Sequence, residues 1–361
     1  MKSLYVSVMK FLSVVGARPQ FVKLAPIVSA LPPKIDHLIV HTGQHYDEKM
    51  SNSFFRDLEI PKPLRNLEAG SGSHAEQTAR IMVGVEEVLT KTKPDMVIVY
   101  GDTNSTVAGS LVAAKLHIPV AHVEAGLRSW NRKMPEEVNR IVADHLAELC
   151  LAPTEVAMAN LSNEGLQDRS ELVGDIMVDA LRFAQSKAES SPIHLPFQTG
   201  EPYILATFHR QELTDSPKIL TSVLSRLDSF PIPVHLVAHP RLQKVLDQIG
   251  FVQSETGSLR VHGVLDYLEM VTALFHSHGV VTDSGGLQKE AYLLRKPCLT
   301  VRAESEWVET VHSGWNKLVW EDLNDLTLSH LTRHPAAHNP LLFGDGHAAN
   351  RIVSAVMKFL S

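Results

Sequence analysis

The chain has 361 residues, of which 44% are hydrophobic and 20% charged, and its formal net charge is −6. That length exceeds what one hydrophobic core usually supports, so two domains of roughly 150–200 residues are expected. No apolar run approaches the ~18 residues of a membrane span, and the negative charge argues against a nucleic-acid partner.

The two cysteines, Cys150 and Cys298, sit far apart in apolar runs. They read as reduced core thiols of a cytoplasmic protein rather than as a disulfide. The N-terminal stretch from Lys2 to Val15 has the outline of a signal peptide. However, Lys10-Phe-Leu-Ser-Val-Val15 has the composition of a buried parallel strand, and Gly16-Ala-Arg-Pro19 runs straight into a helical pattern. Met9 offers an alternative start, which would make residues 1–8 an upstream extension.

Further strands are predicted at 35–41, 95–100, 118–123 and 148–152, and then at 202–208, 233–238, 259–262, 278–282, 297–301 and 317–320. Between them, residues 21–31, 103–116, 135–146, 218–227, 267–276 and 286–294 place apolar side chains three and four apart, as helices do. This alternation predicts an α/β protein with two Rossmann-like, doubly wound parallel-sheet domains. Residues 184–202, rich in Ser, Pro, Glu and Gly, break the rhythm and are predicted to link the domains. The expected organisation is a first domain at 1–183, a second at 184–346, and a final helix within 347–361.

In a parallel sheet, ligands bind beside the loops that leave the carboxyl ends of the strands. Asp102 (GDTNST) leaves one such end and Glu124 (HVEAGLR) the next, so both carboxylates are expected in one cleft. Glu136 opens a helix behind Pro135 and shares a face with Arg140, four residues on. Asp102 has a structural alternative as a helix cap and Glu136 as a complement to the helix dipole, whereas Glu124 is harder to dismiss, because His122-Val-Glu-Ala-Gly126 puts polar groups beside a buried strand with a glycine for close approach. Together they look like acid/base equipment, because crowded carboxylates repel and one can then hold a proton while another acts as base.

Arg18 and Lys23 bring charge to the loop joining the first strand to the first helix, where bare amides favour an anion. That loop is neither a dinucleotide fingerprint nor a Walker loop. In the second half, His209-Arg210, His239-Pro-Arg241 and Asp283-Ser-Gly-Gly286 each end a strand. Ser284, Gly285 and Gly286 entering a helix form a candidate diphosphate cradle, with Glu290 placed to reach ribose hydroxyls. His45, in TGQH, is a further candidate, and no pair of histidines has metal-ligand spacing, so no metal is expected.

With these segments the sequence resembles the non-hydrolysing UDP-N-acetylglucosamine 2-epimerases from about residue 10 onward. The matching stretches include GARPQFVK (16–23), TGQH (42–45), GDTNST (101–106), HVEAGLR (122–128), PEEVNR (135–140), HRQE (209–212), TDSGGLQKE (282–290) and the late NP and GDG (339–346). The resemblance implies a glycosyltransferase-B-type fold around a cleft and a UDP-linked N-acetylhexosamine substrate. It also implies no cofactor, a homodimer, and a last helix packed back on the first domain. Residue by residue, it places the catalytic acids on Asp102, Glu124 and Glu136 and a catalytic histidine on His209. UDP contacts fall on Arg18, Ser284, Gly285, Gly286 and Glu290, with Lys23 and Arg140 as supporting basic residues. His45, Arg210 and His239 complete the expected binding set.

Two departures matter. Gln20 stands where many members carry an acid, and the stretch ESEWVET (304–310) looks like the branch that also holds 2-epimerases of UDP-2,3-diacetamido-2,3-dideoxy-glucuronate. A neutral Gln20 is expected to suit a more anionic sugar. A hydrolysing 2-epimerase, a glycosyltransferase of the same fold and a sugar-nucleotide-binding regulator are the competing readings. In the family's chemistry UDP is eliminated across C1–C2 and added back. Because the acids and the phosphate-binding groups are expected on different domains, closure is predicted, with 184–202 and Gly344-Asp-Gly346 as flexing points.

Overall fold

Every strand pairing is parallel in this computed structural model, which describes residues 9–43, 55, 58–190, 193–320, 322–335 and 337–361. Residues 1–8, with the alternative start they raise, lie outside that set.

The first sheet holds β1 (Lys10–Val15), β2 (Asp36–His41), β3 (Arg65–Asn66), β4 (Met96–Tyr100), β5 (Val120–Val123), β6 (Leu149–Ala152) and β7 (Ser170–Leu172). Their order across the sheet is β3-β2-β1-β4-β5-β6-β7. The second sheet holds β8 (Ile204–Phe208), β9 (Val234–Ala238), β10 (Leu259–His262), β11 (Gly279–Thr282), β12 (Cys298–Thr300) and β13 (Asn316–Leu318), in the order β10-β9-β8-β11-β12-β13. Continuous apolar runs make these strands because helices cover both faces: all five residues of β4 are buried, as are all five of β9.

β3 and β7 were not predicted. Each is a two- or three-residue edge strand whose side chains are exposed or half-buried, so neither carries an apolar run. The helix His74–Thr92 is instead marked by a capping box, in which Glu76 Oε2 accepts the Ser73 amide at 3.1 Å.

Strand order reverses between β1 and β4 in the first sheet and between β8 and β11 in the second. Loops leaving those paired strands run in opposite directions and open a crevice at their carboxyl ends. In the first sheet the crevice loops are 16–17 and 101–103, and in the second 209–210 and 283–284.

The chain divides into two units, residues 1–182 with 341–361, and residues 183–340. Against the expected linker at 184–202, the helix Ile176–Ser190 carries the chain across the boundary. Ala184-Gln-Ser-Lys-Ala-Glu-Ser190 is mostly helix-forming, which outweighs its loop-like polarity. The chain rejoins the first unit at Leu341 rather than at His347. There the Phe343 carbonyl accepts the Asp175 amide at 2.8 Å, and Asp345 pairs with both terminal nitrogens of Arg351 at 2.8 and 2.6 Å. Asp179 caps the last helix, Ala348–Phe359, by accepting the amides of Ala348 and Ala349, and that helix packs on Arg18–Ala30.

Cys150 and Cys298 are free and buried, one in each sheet, and burial pushes both thiols up to about 12. Among the described residues no helix is long and apolar enough to cross a membrane.

Candidate active site

The first unit gathers its acids around β4 and β5. Glu124 follows β5 in a left-handed backbone conformation, φ 72°, that side chains with a Cβ rarely adopt. Its amide and that of Ala125 both donate to the Leu151 carbonyl, at 3.1 Å each, so β6 holds the turn in place. The Glu124 carboxylate pairs with the Lys23 ammonium, both largely buried. Gly101 lies against that pair. A Cβ there would sit 3.1 Å from Lys23 Nζ and 3.3 Å from Glu124 Oε2, and the residue also has φ 62°, so both the crowding and the backbone favour glycine.

Asp102, next in the chain, is gripped by the helix Pro135–Leu146. Asn139 donates to its carbonyl at 3.0 Å, and Arg140 pairs with its carboxylate. Arg140 is itself buried and gives its other terminal nitrogen to Glu137 Oε2 at 2.6 Å. This corrects the helical-face reading: the intrahelical partner of Arg140 is Glu137, three residues back, rather than Glu136, four back. Glu136 is half-exposed, and its side chain makes no hydrogen bond or ion pair among the described residues.

Behind these acids lies a buried charge network. Asp144 takes His122 Nδ1 at 2.6 Å, Arg128 Nη1 at 2.7 Å and the Gly126 amide at 3.1 Å. Burial raises the Asp144 carboxyl, but His122 and Arg128 outweigh it and hold the group below its ordinary value. His122 Nε2 donates to the Gly101 carbonyl at 2.7 Å, and Arg128 forks onto Glu164 with two contacts of 2.7 Å. The network thus fixes both loops, 101–102 and 124–126, that carry candidate acids.

The second unit builds its set on β8 and β11. The Asp283 carboxylate accepts the amides of His209, at 3.1 and 3.0 Å, and of Arg210, at 2.9 Å, and it faces His209 Nδ1 at 3.1 Å. Burial raises Asp283, but the His209 side chain and the two amides hold it below its ordinary value. The His209 ring remains exposed. The sequence marks the Asp283-Ser-Gly-Gly286 motif but gives Asp283 no role of its own; its bonds to His209 and Arg210 supply one.

Ser284 caps the helix Gly285–Leu293, and its own amide is already given to Thr282 Oγ1 at 3.0 Å. The amides of Gly285 and Gly286 open the helix and have no intrahelical acceptor. Gly286 faces open space, whereas a Cβ on Gly285 would lie 2.3 Å from Glu306 Oε1. Glu306 is held by Arg302 at 2.9 Å and lies 3.4 Å from Arg210 Nη2, and the neighbouring Trp307 has the Lys289 ammonium 3.7 Å from its ring centroid. ESEWVET, which the sequence offers only as a branch signature, is therefore the wall against the start of this helix. Gly285→Ala is expected to push Glu306 off its arginines at a cost of about 1–3 kcal/mol, seen as a fall in melting temperature of several degrees. An unchanged melting curve would mean that the gap opens freely.

Of the remaining predicted residues, Glu290 is buried rather than a surface helical acid. His239 is half-buried at the start of Pro240–Gln248, with Nδ1 3.5 Å from the Arg241 amide. Arg18, half-buried, opens the helix Arg18–Ala30, and His45 lies outside the described residues. Gln20, expected to suit a more anionic sugar, makes structural contacts. It is buried, its Oε1 accepts the amides of Gly16 and Ala17 at 2.8 and 3.0 Å, and its Nε2 donates to the Tyr100 carbonyl at 2.9 Å and Thr106 Oγ1 at 3.1 Å. An amide that ties two loops together has no group left for a sugar's charge. Among the described residues, no three His, Cys, Asp or Glu side chains are grouped to hold a metal.

These features define the class: an α/β enzyme of two Rossmann-like parallel-sheet domains, of the glycosyltransferase-B type, with polar side chains concentrated where strand order reverses. The sequence profile of UDP-N-acetylglucosamine 2-epimerases matches residues 30–357, and the chain belongs to that family. It is 44% identical to the UDP-2,3-diacetamido-2,3-dideoxy-D-glucuronate 2-epimerase of Pseudomonas aeruginosa, across 97% of this chain and 100% of the relative. A UDP-N-acetylglucosamine 2-epimerase homolog of Methanococcus maripaludis is 42% identical, across 96% and 99%. The crystal structure of Methanocaldococcus jannaschii UDP-GlcNAc 2-epimerase in complex with UDP-GlcNAc and UDP superposes with a TM-score of 0.90 at 38% identity, covering 97% of this chain and 100% of that one.

Proposed function

We propose that the protein interconverts UDP-N-acetylglucosamine and UDP-N-acetylmannosamine without hydrolysis, by eliminating UDP and adding it back. The observation that carries this reading is the concentration of Asp102, Glu124 and Glu136 in one unit, two of them paired with buried cations, in a chain whose solved likeness holds UDP-GlcNAc and UDP. C2 of an N-acetylhexosamine is not alpha to a carbonyl, so simple enolisation is closed to it. A carboxylate instead removes the C2 proton while the C1–O bond breaks and UDP departs with the electron pair. The resulting 2-acetamidoglucal takes UDP back at C1 and a proton at the other face of C2.

Asp102, Glu124 and Glu136 share the proton transfers in this reading. Arg18, Arg210, His239, His209 backed by Asp283, and the Ser284–Gly286 helix start meet the departing diphosphate, and Glu290 the ribose. Lys23 and Arg140 act on the acids they pair with. The two free buried thiols suit a reducing cytoplasm, and family resemblance points to a homodimer.

A second substrate is favoured by the Pseudomonas relative, which is named for the diacetamido-glucuronate nucleotide. Proton NMR in deuterated water, with each nucleotide separately, tests both. Epimerisation is expected to place deuterium at C2 of product and of recovered substrate, because the abstracted proton exchanges at a carboxyl before it returns. Epimerisation without solvent label would rule out elimination, and free N-acetylmannosamine would identify a hydrolysing enzyme.

A further inference from the structure

We propose that Glu137 is a positioning residue that ties the three acids Asp102, Glu124 and Glu136 into one geometry. The inference rests on the 2-epimerase reading. Glu137 is fully buried, yet its two oxygens meet four donors. Oε2 accepts Arg140 Nη1 at 2.6 Å, the Ser129 amide at 2.9 Å and the Ser129 hydroxyl at 3.0 Å, and Oε1 accepts the Trp130 amide at 3.0 Å. Such a carboxylate is committed to organising its surroundings.

Two consequences follow from where the donors lie. Arg140 is shared between Glu137 and Asp102, so Glu137 sets the plane of the guanidinium fork that holds the Asp102 carboxylate. Ser129 and Trp130 belong to the segment that leads from Glu124 to Glu136, and Trp130 takes φ 61°, a costly backbone for a bulky side chain. By accepting the Trp130 amide, Glu137 fixes that turn and hence the path between the other two acids. Glu136 sits beside it in the same first helical turn.

The test is Glu137→Gln, which preserves shape but turns an amide NH2 toward one of the four donors. A misplacement of about 1 Å at reacting groups costs on the order of 100-fold in rate, and kcat is expected to fall by about that factor. UDP affinity by calorimetry should stay within about twofold, because UDP is proposed to be held by other residues. A wild-type kcat, or a rate loss matched by an equal loss of UDP-binding sites, overturns the proposal. Should Glu137→Gln not fold, Glu137→Asp keeps the charge but is one methylene short of spanning Arg140 and the Trp130 amide. It is expected to show the same split at about tenfold, and a wild-type kcat there overturns the proposal equally. Wild-type protein that leaves C2 unchanged in both nucleotides defeats the 2-epimerase reading instead, and the two failures are thereby distinguished.

Discussion

Glu124→Gln is expected to lower kcat for epimerisation by about 10²- to 10⁴-fold, the range supplied by a positioned acid or base. The substitution keeps the shape of the side chain and removes its ability to take a proton. It also leaves the Lys23 ammonium, largely buried, facing an amide instead of a carboxylate. Breaking a buried pair costs about 3–5 kcal/mol, so the variant is expected to melt lower as well as to turn over slowly. UDP affinity should be spared, because the diphosphate is proposed to meet the Ser284–Gly286 helix start and its neighbours. Steady-state epimerisation and calorimetric titration with UDP, on the same preparation, check this. If Glu124→Gln lost UDP affinity while catalysis per bound substrate stayed intact, the division of roles between acids and anion-binding groups would be wrong.

Asp144→Asn is expected to destabilise the protein by about 3–5 kcal/mol at neutral pH, or on the order of 10 °C in melting temperature. Asp144 is fully buried and bonded to His122, Arg128 and the Gly126 amide. An asparagine there accepts through one oxygen only and turns its NH2 toward a donor. The pH dependence follows from the direction of its shift. Its folded-state value lies below the ordinary 3.8 despite burial, so its stabilisation is complete above pH 3.8 and fades as pH falls through the lower value. Wild type and variant should therefore differ by a constant amount above pH 3.8 and converge only below it. Denaturant titrations from neutral pH down to about pH 2 would show this, and a gap that stays unchanged below pH 3.8 would mean that charge on Asp144 contributes nothing.

Much of this protein was legible one segment at a time. Apolar runs such as Lys10–Val15 and Met96–Tyr100 announced buried parallel strands, and the polar residues just past them, Asp102, Glu124, His209 and Asp283-Ser284, were correctly assigned to strand ends. That information is local, because hydrophobic periodicity and turn chemistry act within a few residues. The short edges β3 and β7 escaped because an exposed two- or three-residue strand leaves no period to read.

What only the tertiary structure decided is who meets whom. Lys23 reaches Glu124 across 101 residues and Arg140 reaches Asp102 across 38, and the sequence is equally consistent with both cations meeting a phosphate. Gln20 had the position of a ligand contact and proved to be a tie between loops, since its surroundings are set by which strands flank β1. Glu136 and Glu137 are indistinguishable as adjacent acids in one motif. Packing separates them by turning Glu137 into the interior among four donors and leaving Glu136 half-exposed, because successive helical residues point about 100° apart and one face alone can meet the sheet.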